Sequence, residues 1–195
     1  SNRGLLEAVN YNNRPLVTYG YTSFRKPQTA TFGNGIVTSY AYDSRHRLDS
    51  LATRLAGGQQ LLSHNYDYDR ENNRTQLVEQ AELGGVSANR TVGYGYDALE
   101  QLTSVNYSDV PGNTDLRFGY DAWGNRRSLT GAAQSVSYTY SPTSQELDSY
   151  SINGRLSVDL GYDGNGNFTT ENYRRLGRAT KSVSYQWDSH NRLSS

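Results

Sequence analysis

The sequence predicts an all-β fold: tandem antiparallel β-hairpins forming a curved or spiralling β-sheet, a partial shell. Three observations predict it. An aromatic pair at i, i+2, usually followed by Asp, recurs eight times along the chain. The residues around each pair alternate apolar and polar with a period of two, as a half-buried strand requires. Clusters of Gly, Asn and Asp punctuate both ends of each alternating segment, which marks turns. No segment carries a convincing helical period; Ser50 to Leu62 comes closest, and Gly57-Gly58 interrupts it.

The eight segments, in order, are VTYGYT (17–22), TSYAYD (38–43), HNYDYD (64–69), VGYGYD (92–97), LRFGYD (116–121), VSYTYS (136–141), VDLGYD (158–163) and VSYQWD (183–188). The second aromatic of each serves as an anchor: Tyr21, Tyr42, Tyr68, Tyr96, Tyr120, Tyr140, Tyr162 and Trp187. Successive anchors stand 20 to 28 residues apart. Such a spacing fits one supersecondary unit per repeat. Two residues before the anchors stand Tyr19, Tyr40, Tyr66, Tyr94, Phe118, Tyr138, Leu160 and Tyr185. Four before stand Val17, Thr38, His64, Val92, Leu116, Val136, Val158 and Val183. Aromatic and β-branched side chains in alternation suit a pleated surface with one covered face.

After each anchor the chain must turn. Asp43, Asp69, Asp97, Asp121, Asp163 and Asp188 can cap a tight turn through their carboxylates, with Thr22 and Ser141 in the other two copies. Three residues further on, a positive φ is expected. Gly124 and Gly166 supply it, Asn72 and Asn191 tolerate it, and His46 and Glu100 are less suited. The opposite hairpin ends are expected at Gly33-Asn34-Gly35, Gly57-Gly58, Gly84-Gly85, Pro111-Gly112-Asn113 and Asn153-Gly154. Glu79–Arg90 is the longest polar stretch and is expected to be a flexible loop. No linker interrupts the pattern, so residues 1–195 read as a single array.

Composition narrows the possible functions. Of the 195 residues 34% are hydrophobic and 12% aromatic, with 17 Tyr, no Cys and no Met. Lack of Cys removes disulfides, thiol nucleophiles and Cys-based zinc sites. Lys+Arg and Asp+Glu are both 19. That balance argues against a nucleic-acid partner, which favours a basic excess. No apolar run approaches a membrane span. The missing initiator Met reads as an internal fragment, and Ser1-Asn2 as a tag remnant or native residues.

The search for catalytic chemistry is unproductive. His46, His64 and His190 lack a nucleophile and an orienting acid in any recurring relation. Asp163-Gly164-Asn165-Gly166-Asn167 opens like a calcium loop, but Phe168 and Arg174 stand where the EF-hand needs Gly and Glu. No catalytic residue, metal ligand or cofactor is assigned. Arg makes up 17 of the 19 basic residues, and Arg stacked on Tyr is expected within the sheet.

The segments FGYDAWGNRR (118–127), LGYDGNGNF (160–168) and FGNGIVTSYAYDSRHRLDSL (32–51) resemble the YD-repeat, or RHS-repeat, family. The resemblance runs from about Pro15 to Leu193. It implies hairpins assembled into a hollow shell, as in bacterial RHS toxins, Tc toxin B and C components and teneurins. It further implies a secreted or surface-exported bacterial protein. The implied partners are the remaining repeats of a parent shell and an enclosed toxin domain. The family's autoprotease motif contains Asp-Pro, a dipeptide this chain lacks. An exposed aromatic face binding glycans or a protein is the alternative function. Strand edges at both ends of the array are expected to allow edge-to-edge self-association.

Overall fold

The computed structural model describes residues 4–108 and 115–194. The expected turn at Pro111-Gly112-Asn113 and the Ser1-Asn2 terminus lie outside the described residues. Sixteen strands run in chain order: Ala8–Tyr11 (β1), Arg14–Tyr21 (β2), Pro27–Phe32 (β3), Val37–Tyr42 (β4), Leu48–Arg54 (β5), Gln60–Tyr68 (β6), Arg74–Leu83 (β7), Val86–Tyr96 (β8), Leu102–Tyr107 (β9), Leu116–Tyr120 (β10), Arg126–Thr130 (β11), Ser135–Tyr140 (β12), Leu147–Ile152 (β13), Leu156–Tyr162 (β14), Phe168–Arg175 (β15) and Arg178–Ser184 (β16). Among the described residues β1 to β8, and separately β9 to β16, lie in chain order with no crossover. No described residue is helical. Two compact units divide the chain. The first holds β1 to β7, β8 up to Gly95, and residues 107 and 108. The second holds Tyr96, β9 up to Asn106, and β10 to β16.

In the first unit antiparallel pairing places the expected residues on one face. Tyr19 lies opposite Ala30, Tyr40 opposite Leu51, and Tyr66 opposite Leu77, which in turn faces Val92. The other face is narrow and polar: Thr29 faces Ser39, Ser39 faces Ala52, and Ala52 faces Ser63. Gly20 belongs to this second face, where a Cβ would stand 2.5 Å from the Thr29 hydroxyl. The second unit repeats the division. Phe118 lies opposite Leu129, Tyr138 opposite Tyr150, and Tyr150 opposite Val158. Ser128, Ser137, Ser151 and Ser157 run across four strands on the other face.

Burial is sparse. Among the described residues seven are buried: Val17, Ala30, Ser63, Val92, Val105, Val136 and Val158. Four of these, Val17, Val92, Val136 and Val158, stand four residues before an anchor. Across the ladder Val17 lies opposite Val9 and Phe32, Val92 opposite Leu77, Val136 opposite Leu129 and Ile152, and Val158 opposite Tyr150 and Tyr173. Val158 is completely enclosed, and such burial contributes about 1.5–3 kcal/mol for an aliphatic side chain.

Two expectations need correction. Residues 79–90 are not a loop. They continue β7 and β8 into a long hairpin, with Glu79 opposite Arg90 and Glu82 opposite Ser87. Gly84 and Gly85 both take positive φ, +60° and +80°, which gives the tight reversal that such a hairpin needs. Polarity misled because a strand with water on both faces loses its apolar signal. The last aromatic pair also lies outside the strands: β16 stops at Ser184, before Tyr185 and Trp187. Trp187 makes an isolated bridge with Leu193.

Candidate functional site

The recurring chemistry sits at the turn that follows each anchor. Around Asp163, one carboxylate oxygen accepts the N–H groups of Asn165 and Asn167, each at 2.9 Å. The other oxygen accepts the Asn167 side-chain amide at 2.9 Å. Asp121 repeats this pattern with Trp123 and Asn125. Asp43 repeats it with Arg45 and Arg47, and Asp188 with His190 and Arg192. Asp69 accepts the backbone and side-chain amides of Asn73, and Asp97 accepts the N–H groups of Leu99 and Gln101. A carboxylate receiving several N–H bonds favours its charged form. The side-chain and backbone bonds from Asn167 therefore hold the Asp163 carboxyl below its usual range, and those from Arg192 do the same for Asp188. At Asp43 and Asp121 desolvation pushes upward, but the bonds from Arg47 and Asn125 outweigh it.

The turn residue expected to need positive φ has it in every copy. Arg25, His46, Asn72, Glu100, Gly124, Gln145, Gly166 and Asn191 have φ between +56° and +88°. Arg25 and Gln145 were missed by sequence reasoning. Thr22 and Ser141 hide the Asp signal there, and the Ser141 turn is one residue longer, closing through Glu146. A bulge follows: the ladder shifts between Gly161 and Tyr162, between Ala41 and Tyr42, and at the matching place before Tyr21, Tyr68, Tyr120 and Tyr140.

The bulge re-aims the anchor side chain. Its hydroxyl reaches back to a main-chain carbonyl of the preceding strand. Tyr42 donates to the Pro27 carbonyl at 2.8 Å, Tyr68 to Leu48 at 2.8 Å, and Tyr120 to Leu102 at 2.8 Å. Tyr140 donates to Arg126 and Tyr162 to Leu147, both at 3.1 Å, and Tyr21 to Leu6 at 2.6 Å. Trp187 substitutes its indole N–H, donating to Phe168 at 2.7 Å. Each acceptor from Pro27 to Phe168, Leu102 aside, is the residue paired across the ladder with the preceding anchor. Tyr96 ends β8 and Asp97 begins the next turn.

A second set of contacts joins neighbouring turns. Arg47 donates to the Asp69 carbonyl at 2.9 Å and to the Asn72 side chain at 3.1 Å. Its guanidinium lies 4.5 Å from the Tyr68 ring centroid. Lys26 donates to the His46 carbonyl. Asn125 donates to the Gln145 side chain at 2.8 Å, and Asn167 to the Asn191 side chain at 3.0 Å. In these four turns the fourth residue after the cap, Lys26, Arg47, Asn125 or Asn167, thus grips the positive-φ residue of the next turn. At Gly124 the fit is tight, since a Cβ would meet the Gln101 amide nitrogen at 3.1 Å, whereas at Gly166 the nearest atom, a Glu146 carboxylate oxygen, would stand 3.6 Å away. This relation has a sequence signal, a polar side chain four residues after the cap.

The expected Arg–Tyr stacking is present elsewhere too, in Arg74 over Tyr66 at 4.6 Å and Arg126 over Tyr138 at 4.9 Å. His64 pairs with Glu79 at 2.8 Å on the aromatic face. Tyr173 donates to Glu171 at 2.7 Å, and that bond pushes the Tyr173 phenol up to about 12. Among the described residues no group of three or more His, Asp or Glu side chains is placed to hold a metal ion. No described helix is long and apolar enough to cross a membrane.

Comparison with known proteins adds the deciding observation: the family model for the teneurin YD-shell matches residues 1–195. The chain belongs to the YD-shell family. A curated relative of this YD-shell chain, the tRNA3(Ser)-specific nuclease WapA of Bacillus spizizenii, is 30% identical over 180 residues. The match covers 90% of the chain and 7% of that protein. Among solved structures, a chain of the Photorhabdus luminescens Tc holotoxin pore is similar at TM-score 0.60 and 17% identity. That match covers 92% of the YD-shell chain and 11% of the other, and it supports the likeness of fold. A TcdB2–TccC3 structure matches at TM-score 0.40 and 14% identity, covering 92% of this chain and 13% of that one.

Proposed function

We propose that this chain is a stretch of wall in a YD-repeat shell and that the wall encloses and shields a separate polypeptide. The observation that carries the reading is the linkage of successive repeats within each compact unit. A hydroxyl or indole N–H at the anchor bonds the preceding strand, while the fourth residue after the turn cap grips the next turn. A meander joined in this way extends by adding hairpins and needs no second layer to complete it. The repeat residues, including Tyr94, Tyr96, Asp97 and Gly166, then act mechanically rather than chemically, and residues 1–195 act as one array.

The names of the relatives support a toxin domain as the cargo. The chain is similar to part of a nuclease and to part of a Tc holotoxin chain. Nuclease activity itself belongs to that relative, of which the match spans 7%. The proposed partners are further repeats of the same shell at β1 and β16, and the proposed location is secreted or at the bacterial surface. Face-wide glycan binding is the weaker alternative, because the paired aromatic positions pack against Ala30, Leu51, Leu77 and Leu129 within the sheet. An electron-microscopy reconstruction of the full-length protein tests the proposal. Density for a second polypeptide inside a wall containing this segment is expected. A segment standing apart, with nothing enclosed, contradicts it.

A further inference from the structure

A leucine stands where this fold has least use for one. The β15–β16 hairpin turns through Leu176 and Gly177, with φ of +49° and +78°, and Arg175 pairs with Arg178 across its base. Two-residue turns with positive φ at both positions favour Asn, Asp or Gly. The other two described turns of this kind comply, with Asn12-Asn13 between β1 and β2 and Gly84-Gly85 between β7 and β8. Among the described non-glycine residues at positive φ, Leu176 is the one that is apolar. Its side chain is 74% exposed, so packing does not offset the backbone strain. Strain kept where the fold gains nothing points to a contact outside the chain.

Cations surround that leucine. The Leu176 N–H donates to the Arg155 carbonyl at 2.7 Å, and Arg175 lies opposite Leu156. Arg155, Arg175 and Arg178 therefore gather at one end of β14, β15 and β16. All three are exposed. Among the described residues their guanidinium groups make no hydrogen bond or ion pair. Asp159, on the same strand as Leu156, is taken by Arg174 at 3.0 Å. The chain as a whole is balanced, with 19 Lys+Arg and 19 Asp+Glu, so this tip is a local excess of positive charge.

We propose that the β15–β16 tip docks on an anionic lipid bilayer, with Leu176 entering the interface and Arg155, Arg175 and Arg178 binding phosphate headgroups. Guanidinium groups match phosphate oxygens in bidentate fashion. A bilayer offers those phosphates directly above acyl chains, which is the pairing of charge and apolar contact that this tip presents. A water-soluble polyanion would meet the Arg groups and leave Leu176 in water. An apolar protein groove would cover Leu176 and strip water from three charges without a partner. Leu176 sits at the apex of a turn, so it enters a deformable surface more readily than it walls in a ligand. The contact concerns a hairpin tip and does not depend on the enclosure reading.

Sedimentation of the intact chain with vesicles at millimolar lipid tests the proposal. Vesicles of equimolar phosphatidylserine and phosphatidylcholine are compared with vesicles of phosphatidylcholine alone. Binding to the first and not to the second is expected, and it falls as salt is raised. Arg155→Gln, Arg175→Gln and Arg178→Gln are each expected to weaken binding about fivefold. Leu176→Asn suits the turn, so it is expected to raise the thermal midpoint while weakening vesicle binding about tenfold. That opposite movement separates a docking role from a folding one. No binding to the anionic vesicles, binding that Leu176→Asn leaves unchanged, or equal retention on polyglutamate-coated beads overturns the proposal.

Discussion

The indole N–H of Trp187 donates to the Phe168 carbonyl at 2.7 Å, in the place where the Tyr162 hydroxyl donates to Leu147 at 3.1 Å. Two different side chains thus make one bond, which identifies the bond, and not the phenol, as what the anchor position requires. Trp187→Phe and Tyr68→Phe keep the ring and delete the donor. Each is expected to lower stability by about 0.5–1.5 kcal/mol, the net worth of a hydrogen bond, measured by urea unfolding. Trp187→Tyr is expected to recover part of the loss.

The turn caps make acid stability a second check. Asp43, Asp121, Asp163 and Asp188 are held below their usual value of 3.8. A depressed folded-state value contributes stability above pH 3.8 and loses it as pH falls through the folded value. Thermal midpoints are therefore expected to be level above about pH 5 and to drop steeply below pH 4. Asp163→Asn is expected to lower stability at pH 7 and flatten the acid limb.

At the alkaline end the sign reverses. Tyr173 is raised to about 12 by its bond to Glu171, and burial raises Tyr66, Tyr150 and Tyr162. A raised folded-state value contributes stability below the ordinary tyrosine value of 10 and loses it as pH climbs through the folded one. Tyrosinate absorbance is expected to lag behind that of the unfolded chain. Glu171→Gln is expected to bring the Tyr173 titration down.

Glu100 sits at φ +62° without the freedom of Gly. The left-handed region costs an L-residue about 1–2 kcal/mol. Glu100→Gly is accordingly expected to raise stability by about 0.5–1 kcal/mol after the entropy of Gly is deducted. Gly124→Ala is expected to lower it, because its Cβ would crowd the Gln101 amide as well as strain the backbone.

Much of this fold was legible in the sequence, since aromatic alternation and Asp caps are local signals. Of the eight positions four residues before an anchor, Val17, Val92, Val136 and Val158 are buried, while Thr38, His64, Leu116 and Val183 are half-buried. The Glu79–Arg90 hairpin was not legible, because a polar strand looks like a loop. The contacts between turns were hidden for a different reason. Arg47 and Asn72 are 25 residues apart, and only pairing of the intervening strands brings them together.

Protease accessibility of the full-length protein tests the central claim most directly. If the wall shields a polypeptide, that polypeptide resists digestion until denaturant or combined Tyr→Phe changes at Tyr42, Tyr68, Tyr120 and Tyr162 loosen the wall. Digestion of every segment at the rate of an unfolded chain, before any loosening, would contradict it.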